Sequence, residues 1–172
     1  MSRFDVSRDG RMYDVVVRDT AQQLHERFPE TDPRVTEANL VVARAWGSLQ
    51  RLVEGIWAEH NLTGHQLSTL RLLLLAKGNR MTVKDITASL SIGSTNVTKL
   101  VNRLERAELV QRASDSDDRR VTWVELTDAG RLAYETVFPL MQRRYREVFA
   151  VLDGDEMELL VHLLSKLRMQ AL

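Results

Sequence analysis

Apolar residues recur at steps of three and four along most of this chain and give way to short β-branched and aromatic runs at only one place, so the pattern predicts a helical protein with one hairpin. Residues 1–10 are polar and without a clear period, and a loosely held leader is expected there. Tyr13, Val17, Leu24 and Phe28, with Val16 beside them, predict a helix over 11–28 that Pro29 ends. The chain restarts with Asp32 as N-cap and Pro33 at the first helical position, where its missing N–H costs nothing. Val35, Ala38, Val42, Trp46, Leu49, Val53, Ile56 and His60 then mark one long amphipathic helix. The capping-box pattern of Thr63 and Gln66 opens a third helix that stops at Gly78-Asn79, and Thr82 with Asp85 opens a short fourth one ending near Leu90.

Ser94 or Thr95 is expected to cap the next helix, whose Val97, Leu100, Val101 and Leu104 share one face. Residues 109–112 and 121–126 read as strands on either side of the polar tip from Ser114 to Arg120. Thr127-Asp128-Ala129-Gly130 begins a long helix that Pro139 should kink, and a last helix follows Asp153-Gly154-Asp155. Two short helices separated by the small turn Ser91-Ile92-Gly93-Ser94, then strand, charged tip and strand, make the order of a winged helix-turn-helix. The expected fold is mostly α, that motif with its small antiparallel hairpin joined to long helices on both sides.

The helix from Ser94 divides cleanly. Its apolar set turns inward and leaves Ser94, Thr95, Asn96, Thr98, Lys99, Asn102 and Arg103 outward or at the edges. Asparagine can pair with adenine, arginine or lysine with guanine, and a threonine methyl can touch thymine, so this face suits major-groove readout. Ser94 and Thr95, near the helix start, can also serve a phosphate. An ordinary solvated helix face is the competing reading, and the hairpin that follows weighs against it. At the tip, Asp118 and Arg120 alternate and so point the same way on a strand. They form either a surface ion pair of little energetic consequence or an arginine aimed by its acid into the narrow minor groove.

Composition sharpens this in three ways. Lysine plus arginine and aspartate plus glutamate number 24 each, so no global positive field draws the chain to nucleic acid. Locally the balance fails: Arg71, Lys77, Arg80, Lys84, Lys99, Arg103, Arg106 and Arg112 face only Asp85, Glu105 and Glu108 in that stretch. A defined contact surface is favoured over general affinity. Cysteine is absent, which excludes disulfides, thiolate metal sites and thiol oxidation chemistry. No apolar run is long enough to span a membrane and the N-terminus carries charges in place of a signal core, so a cytoplasmic protein without a membrane role is expected.

The run from Leu62 to Gly130, above all Val97-Thr98-Lys99-Leu100-Val101-Asn102-Arg103-Leu104-Glu105 with Asp118-Arg119-Arg120 and Leu126-Thr127-Asp128-Ala129-Gly130, resembles the MarR family of bacterial transcription regulators. The likeness covers residues from about 35 to the C-terminus. It implies a homodimer whose long first helix and last two helices intertwine, with residues 94–103 as the recognition helix on double-stranded DNA. It also implies that Arg120 enters the minor groove and that Asp118 orients it. Such proteins usually repress genes from near-palindromic operators and let go when a small, often aromatic, molecule binds between the dimer base and the DNA-binding lobe. Where that likeness places a ligand, Trp46, His65, Ser68 and Arg71 are the candidate lining residues, although Trp46 falls on the apolar stripe of its helix, where most tryptophans are core.

On this basis residues 1–31 form an extension with one helix, 32–61 the first dimerisation helix, 62–127 the winged motif and 128–172 the C-terminal dimerisation helices. Three departures from the family stand out, the first being that the oxidant sensing through cysteine found in one of its branches cannot operate here. Glu108 occupies the place usually held by glycine after the recognition helix, where a left-handed cap would strain it, so a differently built helix end is expected. The extension before residue 32 is additional and is expected to pack over the dimer interface.

His60 and His65, with Glu59 close by, cross a helix break and have no cysteine to complete a site, so neither metal nor other cofactor is expected. Ser68 has His65 nearby but no nucleophile turn, phosphate loops are missing, and the acids at 115–118 sit on a polar tip, which together speak against an enzyme. A ligand-responsive DNA-binding regulator is the leading expectation. A constitutive or architectural winged-helix protein and a helical protein-interaction dimer stay open beside it.

Overall fold

The computed structural model describes residues 3–90, 92–115 and 121–171. Strands β1 (Phe4–Val6) and β2 (Met12–Asp14) lead into helix α1 (Val15–Arg27) and the long helix α2 (Pro33–Glu59). Helix α3 (Gly64–Leu75), a 3-10 turn at Lys77–Asn79, strand β3 (Arg80–Thr82) and helix α4 (Val83–Leu90) come next. Helix α5 (Ser94–Arg106), strands β4 (Val110–Ser114) and β5 (Thr122–Leu126), and helices α6 (Asp128–Phe149) and α7 (Gly154–Gln170) complete the order. The chain divides into two units, residues 1–52 and 53–172, with the boundary inside α2.

The first unit corrects the expected loose leader. Phe4, Asp5 and Val6 pair antiparallel with Asp14, Tyr13 and Met12, and the helix begins at Val15 instead of Arg11. Asp14 is the reason. Its side chain accepts from the Val17 amide at 3.2 Å, which is N-cap geometry, and so it ends the strand and starts the helix. Although nearly buried, the same carboxylate receives Arg3 at 3.0 Å and Arg44 of α2 at 3.8 Å. Burial by itself raises its pKa. The hydrogen bonds from Arg3 and the Val17 amide, with the charges of Arg3 and Arg44, outweigh burial and hold it below the usual carboxylate value. Arg18 adds a second tie between the helices, reaching Glu37 at 3.1 Å while its guanidinium lies 3.5 Å from the Tyr13 ring centroid.

The second unit is built around Leu70, Leu73, Ile86, Val97, Val101, Leu104, Val110, Val124 and Val137, all essentially inaccessible to water. The capping box at Thr63 forms as expected, with Gln66 and Thr63 each bonding the other's backbone amide. Gly64 allows Trp57 to pack on the first turn of α3, since a Cβ there would meet the indole at 2.9 Å. Trp57 in turn donates to Met141 Sδ at 3.2 Å, joining the end of α2 to α6.

Strand β3 has no counterpart in the sequence reading. It pairs antiparallel with β5, Arg80 against Glu125 through Thr82 against Trp123, and puts β5 in the middle of a three-stranded sheet, β3-β5-β4. The hairpin itself is as expected, from Val110 opposite Leu126 to Ser114 opposite Thr122. Helix α6 starts at the Thr127 cap and runs through Pro139 without interruption. Among the described residues of α7 none is buried; Leu159, Val161, Leu163, Leu164, Leu167 and Met169 are all substantially exposed.

Candidate nucleic-acid interface

Helix α5 is divided as its sequence requires. Val97, Leu100, Val101 and Leu104 are buried, and Ser94, Thr95, Asn96, Thr98, Lys99 and Arg103 are exposed or at the edge. At about 100° per residue, Thr95, Lys99 and Asn102 form a stripe opposite the buried set. The cap differs from expectation. Gly93 is the N-cap and no side chain closes the first turn; the Gly93 carbonyl takes the amides of Asn96 at 2.9 Å and Val97 at 3.2 Å. Ser94 and Thr95 therefore stand inside the helix, leaving their hydroxyls free of capping duty. Thr98 is less free, because its hydroxyl donates to the Ser94 carbonyl at 3.1 Å, a common use for a threonine within a helix.

The far end of α5 overturns the expected alternative helix end. Glu108 has φ 58°, the left-handed conformation usually left to glycine. Its amide donates to the Glu105 carbonyl at 2.9 Å and the Leu109 amide to the Leu104 carbonyl at 3.0 Å, which together make a Schellman cap. The surroundings hold the strained residue in place. Thr127 donates its hydroxyl to the Glu108 carbonyl at 2.7 Å, and its amide bonds the Leu109 carbonyl at 3.2 Å. One short segment thus links the end of α5, the start of the hairpin and the start of α6.

On the hairpin, Arg112 of β4 reaches back to α5. Its Nη2 donates to Asn102 Oδ1 at 2.6 Å and its Nη1 pairs with Glu105. Asn102 is consequently half-buried and held, in contrast to the freely exposed amide that its place on the helix implies. Nearer the tip, Trp123 donates to Asp115 at 2.7 Å while the Arg80 guanidinium covers its ring at 4.5 Å. Glu125 receives Gln111 at 3.0 Å and Arg80 at 3.8 Å. Trp123 stands opposite Ala113, one pair from the tip end of the described ladder, and is half-buried there. Asp118 and Arg120 lie outside the described residues.

The other candidates belong to α2 and α3. Trp46 is 61% exposed, which removes the core reading for it within its unit. His65 and Arg71 are exposed or at the edge and Ser68 half-buried, all turned away from the buried face of α3. Sequence reasoning missed Tyr134 and Phe138, an i,i+4 aromatic pair on α6 whose rings stack with centroids 5.3 Å apart. Burial pushes the Tyr134 hydroxyl pKa up, and the charge of Arg71 works in the opposite direction. Among the described residues no group of three metal-binding side chains is found, and no helix is long and apolar enough to cross a membrane.

A helix with a buried apolar face and an open polar one, backed by a three-stranded hairpin sheet, defines a winged helix-turn-helix of the DNA-binding kind. Comparison with known proteins agrees. A sequence model described as MarR family matches residues 60–121. The homoprotocatechuate degradative operon repressor of Escherichia coli is 30% identical over 107 residues, spanning 62% of this chain and 71% of that protein. A mutant of Escherichia coli MarR complexed with operator DNA superposes with TM-score 0.70 at 23% identity, covering 83% of this chain and 96% of that one. NadR in complex with 4-hydroxyphenylacetate gives TM-score 0.63 at 30% identity, covering 76% of this chain and 91% of that one. The chain belongs to the MarR family and is a DNA-binding transcription regulator.

Proposed function

We propose that this chain acts as a homodimeric repressor of a near-palindromic operator, released by a small aromatic molecule. The observation that carries the DNA side is the division of α5, with Val97, Leu100, Val101 and Leu104 buried against Thr95, Asn96, Lys99 and Arg103 on the open side. Ser94, Thr98 and Asn102 complete the contact set, and Arg120, aimed by Asp118, reaches the flanking minor groove. Two such helices enter successive major grooves about one DNA turn apart.

The exposed leucines, valine and methionine of α7 support a dimer, because an apolar helix with no buried residue needs a partner surface. Support for an aromatic effector comes from NadR, solved with 4-hydroxyphenylacetate, and from the stacked aromatic pair Tyr134 and Phe138 of α6. His65, Ser68 and Arg71 are the proposed lining residues within the second unit. An effector that favours a dimer with the wrong helix spacing needs a coupling of about 1–3 kcal/mol to loosen the DNA five- to hundredfold.

The test is binding of the purified chain to its own promoter DNA at two salt concentrations, with random DNA as competitor, followed by titration of aromatic acids. Competitor-resistant binding that weakens with salt and with an aromatic acid supports the reading. Binding that random DNA removes equally well overturns it in favour of an architectural role. Specific binding that no aromatic acid weakens leaves a constitutive regulator.

A further inference from the structure

The amide of Asn102 has a fixed orientation. Arg112 Nη2 lies 2.6 Å from its Oδ1. A guanidinium only donates, so the side chain with its oxygen and nitrogen exchanged would set donor against donor. Arg112 is fixed in turn by Glu105, one helical step from Asn102 and paired with Nη1. The amide nitrogen, with its two N–H groups, is therefore the end of Asn102 left to meet DNA.

This changes what Asn102 reads. The familiar asparagine–adenine pair needs both ends of the amide, the oxygen accepting from adenine N6 while the nitrogen donates to N7. Here the guanidinium already takes one of the oxygen's two lone pairs and sets a positive charge beside it, which weakens it as an acceptor toward adenine N6. An amide that presents chiefly its donors fits a base edge presenting acceptors alone, which in the major groove means guanine N7 and O6 or thymine O4. We propose that Arg112 acts as a specificity-setting residue, holding Asn102 so that it selects guanine or thymine and rejects adenine. This rests on α5 being the DNA-reading helix.

The experiment is selection from a pool of DNA duplexes with a randomised central segment, using the full chain and four variants. In the wild type, the base pair whose preference disappears in Asn102→Ala should be guanine or thymine, with about tenfold discrimination against adenine. In Arg112→Met the freed amide should shift that one position toward adenine and leave the others unchanged. Arg112→Lys, which keeps the charge but not the fork, should shift it partly. Asn102→Asp keeps an acceptor for Arg112 and exchanges the outward donors for a carboxylate, so its preference should move to cytosine. That isosteric variant keeps the test decisive even if Arg112→Met unfolds, which circular dichroism would show. An adenine at the Asn102-dependent position of the wild type overturns the proposal. So does an unchanged preference in folded Arg112→Met, or a uniform loss of affinity in Asn102→Ala, which would mean a phosphate contact. If no sequence is enriched by any protein, it is the DNA-reading role of α5 that has failed.

Discussion

The carbonyl oxygen of Leu109 lies 2.0 Å from where a Cβ on Gly130 would stand. The first turn of α6 therefore rests directly on the backbone that leads from α5 into β4, and only glycine permits it. The same carbonyl takes the Thr127 amide, so the approach of the two segments is set by a hydrogen bond as well as by the missing side chain.

Gly130→Ala should destabilise the chain by about 3 kcal/mol, because the obstacle is backbone and cannot rotate away. Denaturant unfolding measures this directly. A loss within the scatter of a surface substitution would mean that α6 can tilt off Leu109 at little cost.

Glu108→Gly should raise stability by about 1 kcal/mol, since it relieves a left-handed residue without touching a side-chain contact. The greater freedom of glycine in the unfolded chain offsets part of the gain. A less stable variant in the same unfolding experiment would show that the Glu108 side chain contributes more than its conformation costs.

Asp14 should make the first unit acid-sensitive. Its folded pKa is depressed, so its contribution is complete above the ordinary carboxylate value of about 3.9 and is lost as pH falls through the lower folded value. Asp14→Asn keeps the cap but drops the pairing with Arg3 and Arg44, and should be less stable than wild type at neutral pH. The gap should close on acidification through the carboxylate range, followed by unfolding at each pH; a constant gap would exclude the ion pairs as its origin.

Arg120→Ala should weaken operator binding by about tenfold or more if the arginine enters the minor groove. Fluorescence anisotropy with promoter DNA reads the change. Equal affinities would confine recognition to the helix.

If the proposed dimer forms through α7, replacing Leu164 and Leu167 together by aspartate should raise its dissociation constant, because both are exposed apolar residues of a helix with no fully buried residue. Sedimentation equilibrium is the measurement, and an unaltered dimer would place the interface elsewhere.

What the sequence made legible and what it hid divide on a physical line. The inward set of α5, the Thr63–Gln66 box and the Thr127 cap all follow from spacings within one element, and each appears as read. Strands β1 and β3 are three residues long, too short to show a period, and exist only through pairing with β2 and with the distant β5. Tyr13 and Val17 stand one helical turn apart, which hid the strand before Asp14. Gly93 took the cap because its backbone already closes the turn, leaving the adjacent hydroxyls unused. The grip of Arg112 on Asn102 crosses from strand to helix, a relation that no periodicity within either element encodes. Glu108 shows the reverse error: local strain predicted a different helix end, and the bonds from Thr127 overrode it.

Pro139 lacks an amide hydrogen, so the Glu135 carbonyl one turn earlier loses its usual i+4 donor. A rod with one rung missing bends most easily at that rung. The N-terminal end of α6 is bolted to the hairpin through Gly130 and Thr127, while its C-terminal half leads to the uncovered apolar helix α7. A load on α7 would therefore meet the hairpin through a helix that gives most easily near its middle, at Pro139.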